Sequence, residues 1–377
     1  MKFPRSLTQK LRSRIADGTI RSLRSNEVEI DFFSNDYLGF SRNKAIDQKY
    51  LSSLKELDFP NGSTGSRLIS GNFQIHENTE GDLAVFFQAE AALLFNSGYD
   101  ANLGLLSAIL QRNDCVFYDR LAHASIRDGI QLSKASSFGF DHNDLDDLKK
   151  KVKKAKSLNG HNYLVVESVY SMDGDEAPLD ELANFCQEND LYLIVDEAHA
   201  TGVFGKQGRG LVSELGLERM VFARVHTFGK ALGCHGAVVL GSEDLRNYLV
   251  NFSRSFIYTT AMPPAEVLRI RSAFDELQVT DQMDKLHKII QVFVSRVSEL
   301  DLTIHFIKSR SPIQSYILSD PKRTDEINKV LSYEKIGAKV ILAPTVPNGQ
   351  ERIRICLHSF NSSQEVDRIL QLLSTFV

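Results

Sequence analysis

The amino-acid sequence predicts an α/β fold: a large domain whose mostly parallel, mixed sheet is covered by helices, and a smaller α+β domain at the C-terminus. Three observations predict it. Short apolar runs of strand length (AALLF, CVFYD, YLVVES, LYLIVD) alternate with helical patterns, as βαβ units require. Those runs are close to continuously apolar, as strands covered on both faces are. From about Pro263 the alternation gives way to a long helical pattern and then to three further strand patterns.

Taken in order, residues 4–25 read as a basic amphipathic helix, followed by a short strand (VEIDFF) and the loop SNDYLG. TEGDLAVFFQ is a helix and AALLF a strand; ANLGLLSAILQ is a helix and CVFYD a strand. HASIRDGIQLS, SSFGF and NDLDDLKKKVKKAK continue as helix, strand and helix. YLVVES, the helix PLDELANFCQEND, and LYLIVDEAHATG follow, and MVFARV (Met220 to Val225) and GAVVL extend the sheet. The long helical pattern runs through LRIRSAFDELQ and MDKLHKIIQVFVSRVSEL, and IQSYIL, KVILA and RIRICL are strands of the C-terminal unit. The expected division is an N-terminal arm (1–45), a large domain (46–275) and a small domain (276–377).

Composition narrows the function classes. The net charge of −4 gives no global field for nucleic acid or an anionic membrane, and no apolar run reaches spanning length. The four cysteines, Cys115, Cys186, Cys234 and Cys356, have no metal-binding spacing and read as reduced thiols of a cytoplasmic protein. The basic run KKKVKKAK follows acidic NDLDD, so its charges suit the two ends of a solvated helix. DEAH lacks an accompanying phosphate loop, and there is no HExxH, so neither a helicase nor a zinc hydrolase is indicated.

In a parallel sheet, ligands bind beyond the carboxyl ends of the strands, and the polar residues gather there. Asp196, Glu197 and His199 follow one apolar run and Lys230 follows another, inside HTFGKALG. A desolvated lysine holds a neutral amine that can attack a carbonyl, and a buried carboxylate keeps a pyridine nitrogen protonated. Small neighbours Gly229, Ala231 and Gly233 admit a flat ring. Ser97-Gly98-Tyr99, between a strand and a helix, is a phosphate-type turn, and Thr227 adds a hydroxyl. His123 and Ser171 lie in neighbouring strand-end loops. Each alone has an ordinary reading: a snorkelling lysine, a helix cap, a satisfied histidine, a plain turn.

SNDYLG, GSTGSRLISGN, LLFNSGYDAN, ESVYSMDGD, DEAHATGVFGKQGRG, HTFGKALG, FIYTTAMPP and PTVPNGQERIRI together resemble the α-oxoamine synthases, fold-type I pyridoxal 5'-phosphate (PLP) enzymes that condense an amino acid with an acyl thioester and release carbon dioxide. DEAHATGVFG, FIYTTAMPP and the short arm are most similar to the family's biotin-pathway member. The resemblance implies L-alanine and a pimeloyl thioester, on CoA or acyl-carrier protein, as substrates. It implies Lys230 as cofactor anchor and base, Asp196 at the ring nitrogen, and His199 and Ser171 at the phenolic oxygen. His123 then stacks on the ring, and Gly98, Tyr99 and Thr227 hold the phosphate. Thr259 or Thr260 reaches that phosphate from the neighbouring subunit of a homodimer. Arg354, near Asn35, grips the amino-acid carboxylate, and Arg21 and Thr345 contact the acyl substrate. No metal is implied. Alternatives are a family member with other substrates (glycine and acetyl-CoA, or serine and a long acyl chain) and a catalytically silent regulatory homologue. Tyr170 stands where phenylalanine is usual in the family, and GCHG (Gly233 to Gly236) departs from its small-residue pattern.

Overall fold

The computed structural model describes residues 3–376 apart from 17–18, 22, 24–27, 57, 156–159, 319–322, 343–345 and 347–348. In chain order the strands are β1 (Ile30–Asp31), β2 (Ala91–Phe95), β3 (Cys115–Asp119), β4 (Ser136–Phe140), β5 (Asn162–Glu167) and β6 (Leu191–Asp196). They continue with β7 (Ala223–Thr227), β8 (Ala237–Gly241), β9 (Ile313–Ile317), β10 (Ile336–Gly337), β11 (Lys339–Ile341) and β12 (Arg352–Cys356).

Strands β2 to β8 form one seven-stranded sheet in the order β2-β8-β7-β6-β5-β3-β4. All of its neighbours pair parallel except β8, which runs against both β7 and β2. The sheet explains the apolar runs directly. Leu193 and Val195 of β6 join one buried cluster while Ile194 joins the other, and Leu164 and Val166 of β5 oppose Tyr163 and Val165 in the same way. Successive side chains point to opposite faces, and both faces are covered by helices. The mostly parallel mixed sheet expected from the sequence is therefore present.

The second sheet, β11-β12-β9, is antiparallel and packs with the helices Gln282–Glu299 and Ser363–Ser374. The N-terminal segment joins it: β1 pairs parallel with β10, and the Cys356 N–H donates to the Phe32 carbonyl at 2.7 Å. Further along this segment, the Tyr37 hydroxyl lies 2.8 Å from His199 Nδ1, in the loop after β6.

Three expectations are corrected. The N-terminal helix spans Arg5–Ala16, not 4–25; none of its residues is buried, so no tertiary packing extends it. The strand expected at Met220–Val225 lies at Ala223–Thr227, because its register on β6 starts with Ile194 opposite Ala223. The long helical pattern divides into Pro264–Leu277 and Gln282–Glu299. The basic run does form a solvated helix, Leu145–Lys154, capped by Asp144 accepting from the Asp147 N–H at 2.8 Å, with Leu148 as its buried side chain.

Candidate active site

Parallel strands end together, so the sheet's carboxyl edge brings distant residues to one place. Glu167 ends β5, Asp196 ends β6, and the two are register partners. Thr227 ends β7, and the Lys230 loop follows it. They line a cavity of about 280 Å³ with Asn35, Gly98, Tyr99, Asn102, His123, His199 and His235.

Asp196 is buried and lines the cavity. One carboxylate oxygen accepts from the Ala198 N–H at 2.9 Å and the other from the Asn102 amide at 2.7 Å. Asn102 sits on the helix Gly98–Ile109, so the helix that follows β2 also aims this carboxylate.

The lysine loop is tied at its base: the Phe228 N–H donates to the Gly236 carbonyl at 2.9 Å and the Cys234 N–H to the Phe228 carbonyl at 2.8 Å. Gly233 has φ +59°, and a Cβ there would stand 2.2 Å from the Ser41 nitrogen, so only glycine closes this loop. Removal from water pushes the Lys230 amine down to about 8, although the Asp196 and Glu167 carboxylates oppose the shift. Burial and the neighbouring Asp196 push Glu167 up to about 8. Both shifts favour the uncharged form of the group, as removal from water dictates.

The histidines are held neutral. Burial drives His199 well below its usual range, and its Nδ1 lies 2.8 Å from the Tyr37 hydroxyl. Burial lowers His123 as well. The His123 N–H donates to Glu167 at 2.7 Å, and its Nδ1 lies 2.8 Å from the Ser125 hydroxyl.

Also lining the cavity, the start of the helix Gly98–Ile109 is capped by Ser97, whose hydroxyl accepts from the Asp100 N–H at 3.1 Å. The N–H groups of a helix's first turn have no partner within the helix and attract anions. The Thr227 hydroxyl beside them is buried and unpartnered among the described residues. A Cβ on Gly98 would stand 2.4 Å from the Thr227 methyl, so glycine sets the closeness of approach. The Tyr99 ring is exposed, and its hydroxyl donates to Asp128.

Arg354, on β12, is buried and ion-paired to no carboxylate among the described residues. Its Nε donates to the Ser171 carbonyl at 2.6 Å and an Nη donates to Asn35 Oδ1 at 3.0 Å. Its neighbour Arg352 shows the contrast, being paired with Asp173. A buried guanidinium without an acid is a site for an incoming carboxylate.

A family model for class I and II aminotransferases matches residues 27–373. The chain belongs to that family. It is 41% identical to an 8-amino-7-oxononanoate synthase of Emericella nidulans, over 92% of this chain and 89% of that one. The solved 8-amino-7-oxononanoate synthase of Francisella tularensis is 30% identical with a TM-score of 0.78, covering 93% of this chain and 98% of that one. Sphingomonas wittichii serine palmitoyltransferase is 27% identical with a TM-score of 0.87, covering 98% and 96%. The resemblance drawn from the motifs and the fold-type I architecture are both borne out.

Of the residues singled out in the sequence, Lys230, Asp196, His199, His123, Gly98, Tyr99, Thr227 and Asn35 share the cavity, with Arg354 and Ser171 joined to it through Asn35. Thr259 and Thr260 lie outside it, where the Asn96 amide donates to the Thr259 hydroxyl at 3.2 Å and the Thr260 carbonyl at 2.9 Å. Arg21 is exposed and away from the cavity wall, and Thr345 lies outside the described residues. Glu167, Asn102 and Tyr37 escaped the sequence reading. Glu167 carried a signal, as it ends an apolar run in ESVYSMDGD; Asn102 and Tyr37 reach the site by packing alone.

Proposed function

We propose that the chain is a PLP-dependent acyltransferase that condenses L-alanine with a pimeloyl thioester, carried on CoA or acyl-carrier protein, to give 8-amino-7-oxononanoate in biotin biosynthesis. The observation that carries this reading is one cavity holding a desolvated lysine, a buried strand-end carboxylate and an unsatisfied phosphate cradle. PLP fits those residues: the buried Thr227 hydroxyl has no partner, Gly98 leaves room beside it, and Asp196 and Lys230 lie beyond. The relatives' names support the same reaction.

When bound, PLP supplies an electron sink for negative charge at the amino acid's α-carbon. The Lys230 amine would hold the cofactor, and when free, its lowered proton affinity would let it take the α-proton of L-alanine. Asp196 would hold a proton at the ring nitrogen, and Asn102 and the Ala198 N–H keep that carboxylate aimed. Gly98, Tyr99 and Thr227 bind the phosphate. His123 would stack on the ring, and His199 and Ser171 would hold its phenolic oxygen. Arg354 and Asn35 hold the amino-acid carboxylate, so the α-carbon bonds are oriented against the ring. Arg21 and Thr345 contact the acyl substrate.

The proposal includes a cytoplasmic homodimer in which Thr259 or Thr260 reaches the other subunit's phosphate site; their position outside this chain's own cavity supports it. No described helix is long and apolar enough to cross a membrane. The arm (1–45), large domain (46–275) and small domain (276–377) are proposed as the functional division, supported by the separate sheets within 91–241 and 313–356. Rates with L-alanine, L-serine and glycine against pimeloyl-, palmitoyl- and acetyl-CoA test the reading. L-alanine with pimeloyl-CoA is the fastest pair, and failure of that pair while another turns over overturns the substrate assignment.

A further inference from the structure

His142 follows β4, outside the cavity, yet it is tied more firmly than any catalytic histidine. Its Nδ1 lies 3.0 Å from both carboxylate oxygens of Asp119, at the end of β3, and its Nε2 lies 2.7 Å from Asp175. A ring whose two nitrogens both face carboxylates carries two protons. Burial works against that charge, but the bonds and the fields of Asp119 and Asp175 prevail and push His142 up to about 10. The adjacent Asn143, at φ +53°, repeats the bridge: its N–H donates to Asp119 at 2.9 Å and its amide to Asp175 at 2.9 Å and the Glu176 carbonyl at 3.0 Å. The Tyr170 ring meets the imidazole edge-on, with centroids 4.5 Å apart.

Asp173 also approaches this group, and the ligand atoms of His142, Asp173 and Asp175 lie within 4.8 Å of one another. A metal has no vacancy there, because both His142 nitrogens are engaged and Asp173 is paired with Arg352. The cations of the cluster are the protein's own.

What the cluster holds is the turn from Tyr170 to Asp175. The turn closes through the Tyr170 N–H on the Asp175 carbonyl at 2.9 Å and the Gly174 N–H on the Tyr170 carbonyl at 2.8 Å. Gly174 has φ +78°, and a Cβ on it would stand 2.1 Å from the Ile313 carbonyl, so the turn is pressed onto β9. On this small-sheet side, the Ser315 hydroxyl donates to the Met172 carbonyl at 2.5 Å, and Arg354 donates to the Ser171 carbonyl at 2.6 Å. One side of the turn is gripped by His142, and the other aims the Arg354 guanidinium.

We propose that His142 is a positioning residue for the amino-acid carboxylate: held between Asp119 and Asp175, it clamps the turn whose Ser171 carbonyl sets Arg354 in place. The inference rests on the reading of Arg354 as the carboxylate anchor. Without the imidazole, Asp119 and Asp175 face each other with no cation between them, the turn is released, and the Ser171 carbonyl moves with it. The charged groups around His142 are Asp119 on β3, Asp173 and Asp175 on the turn, Glu176 just after it, and Arg352 on β12. Arg310 acts through its pair with Glu176, and exposed Arg120 and Asp141 neutralise one another. Tyr170 is the uncharged titratable neighbour.

The test titrates purified holoprotein with L-alanine and with ethylamine, which lacks the carboxylate, following visible absorbance. His142→Gln weakens L-alanine about tenfold and leaves ethylamine within about twofold. Equal weakening of both ligands, or of neither, overturns the proposal. Asp175→Asn provides a second arm if His142→Gln fails to fold. In wild type the ratio of the two dissociation constants stays flat from about pH 6 to about pH 9, while in Asp175→Asn the preference for L-alanine fades as the imidazole loses its proton within that range. A flat ratio in Asp175→Asn overturns the clamp. Arg354→Lys separates the two levels: L-alanine binding unchanged there overturns the anchor reading, and the clamp with it, whereas weakened binding beside an unaffected His142→Gln overturns the clamp alone.

Discussion

Replacing Asp196 by asparagine keeps the side chain's shape and removes its charge. In the folded chain two donors converge on this carboxylate, the Asn102 amide at 2.7 Å and the Ala198 N–H at 2.9 Å. An asparagine offers a single oxygen, so one buried donor faces another donor, at a cost of about 1–3 kcal/mol in stability. A domain stable by roughly 5–15 kcal/mol tolerates that. The larger effect falls on catalysis. Breaking a buried ion pair by removing one partner costs about 3–5 kcal/mol, and each ~1.4 kcal/mol is tenfold in rate. The turnover of Asp196→Asn with L-alanine and pimeloyl-CoA therefore falls by about two to nearly four powers of ten. The same change removes a carboxylate that raises the Lys230 amine, so that amine falls below about 8. The assay is steady-state product formation, with thermal melting and cofactor absorbance confirming a folded, loaded protein. Turnover within threefold of wild type in a fully loaded variant refutes the role given to Asp196.

Two further predictions come from the same cavity. Gly98→Ala puts a Cβ 2.4 Å from the Thr227 methyl; relieving that overlap costs about 1–3 kcal/mol, and equilibrium dialysis should show cofactor affinity falling by about tenfold or more. Glu167 is raised from 4.5 to about 8 in the fold, so the folded state binds its proton more tightly than the unfolded chain does. The contribution is full below 4.5 and is lost as pH rises to about 8. Denaturant midpoints of the cofactor-free Glu167→Gln variant should rise relative to wild type across that window, as wild type loses the contribution of Glu167; a difference between the two that does not change with pH counts against the buried neutral carboxyl.

Much of the fold was legible because parallel strands covered on both faces leave a strong local signal. LYLIVD and YLVVES read as strands, and the polar residues directly after them marked the site. The signal failed where it was not local. Met220 and Phe222 extend an apolar run past the strand's true start, and the register against β6, which a single segment does not contain, places the strand at Ala223–Thr227. Buried His226 concealed the strand's far end, since its pairing to the Thr201 hydroxyl at 2.8 Å is a tertiary fact. The N-terminal pattern promised a longer helix than residues with no buried side chain sustain. Asn102 and Tyr37 look like ordinary helix and loop residues until packing sets them against Asp196 and His199. Cys234, left without a role by its sequence, turns inward: burial pushes its thiol up to about 12, and His235 faces the cavity in its place.

The central claim is that Lys230 carries the cofactor. Borohydride reduction of the purified holoprotein, followed by proteolysis and mass mapping, measures it directly. The account predicts a single phosphopyridoxyl label on Lys230, lost in Lys230→Ala. A label on another lysine, or none on a protein that still turns over L-alanine and pimeloyl-CoA, contradicts it.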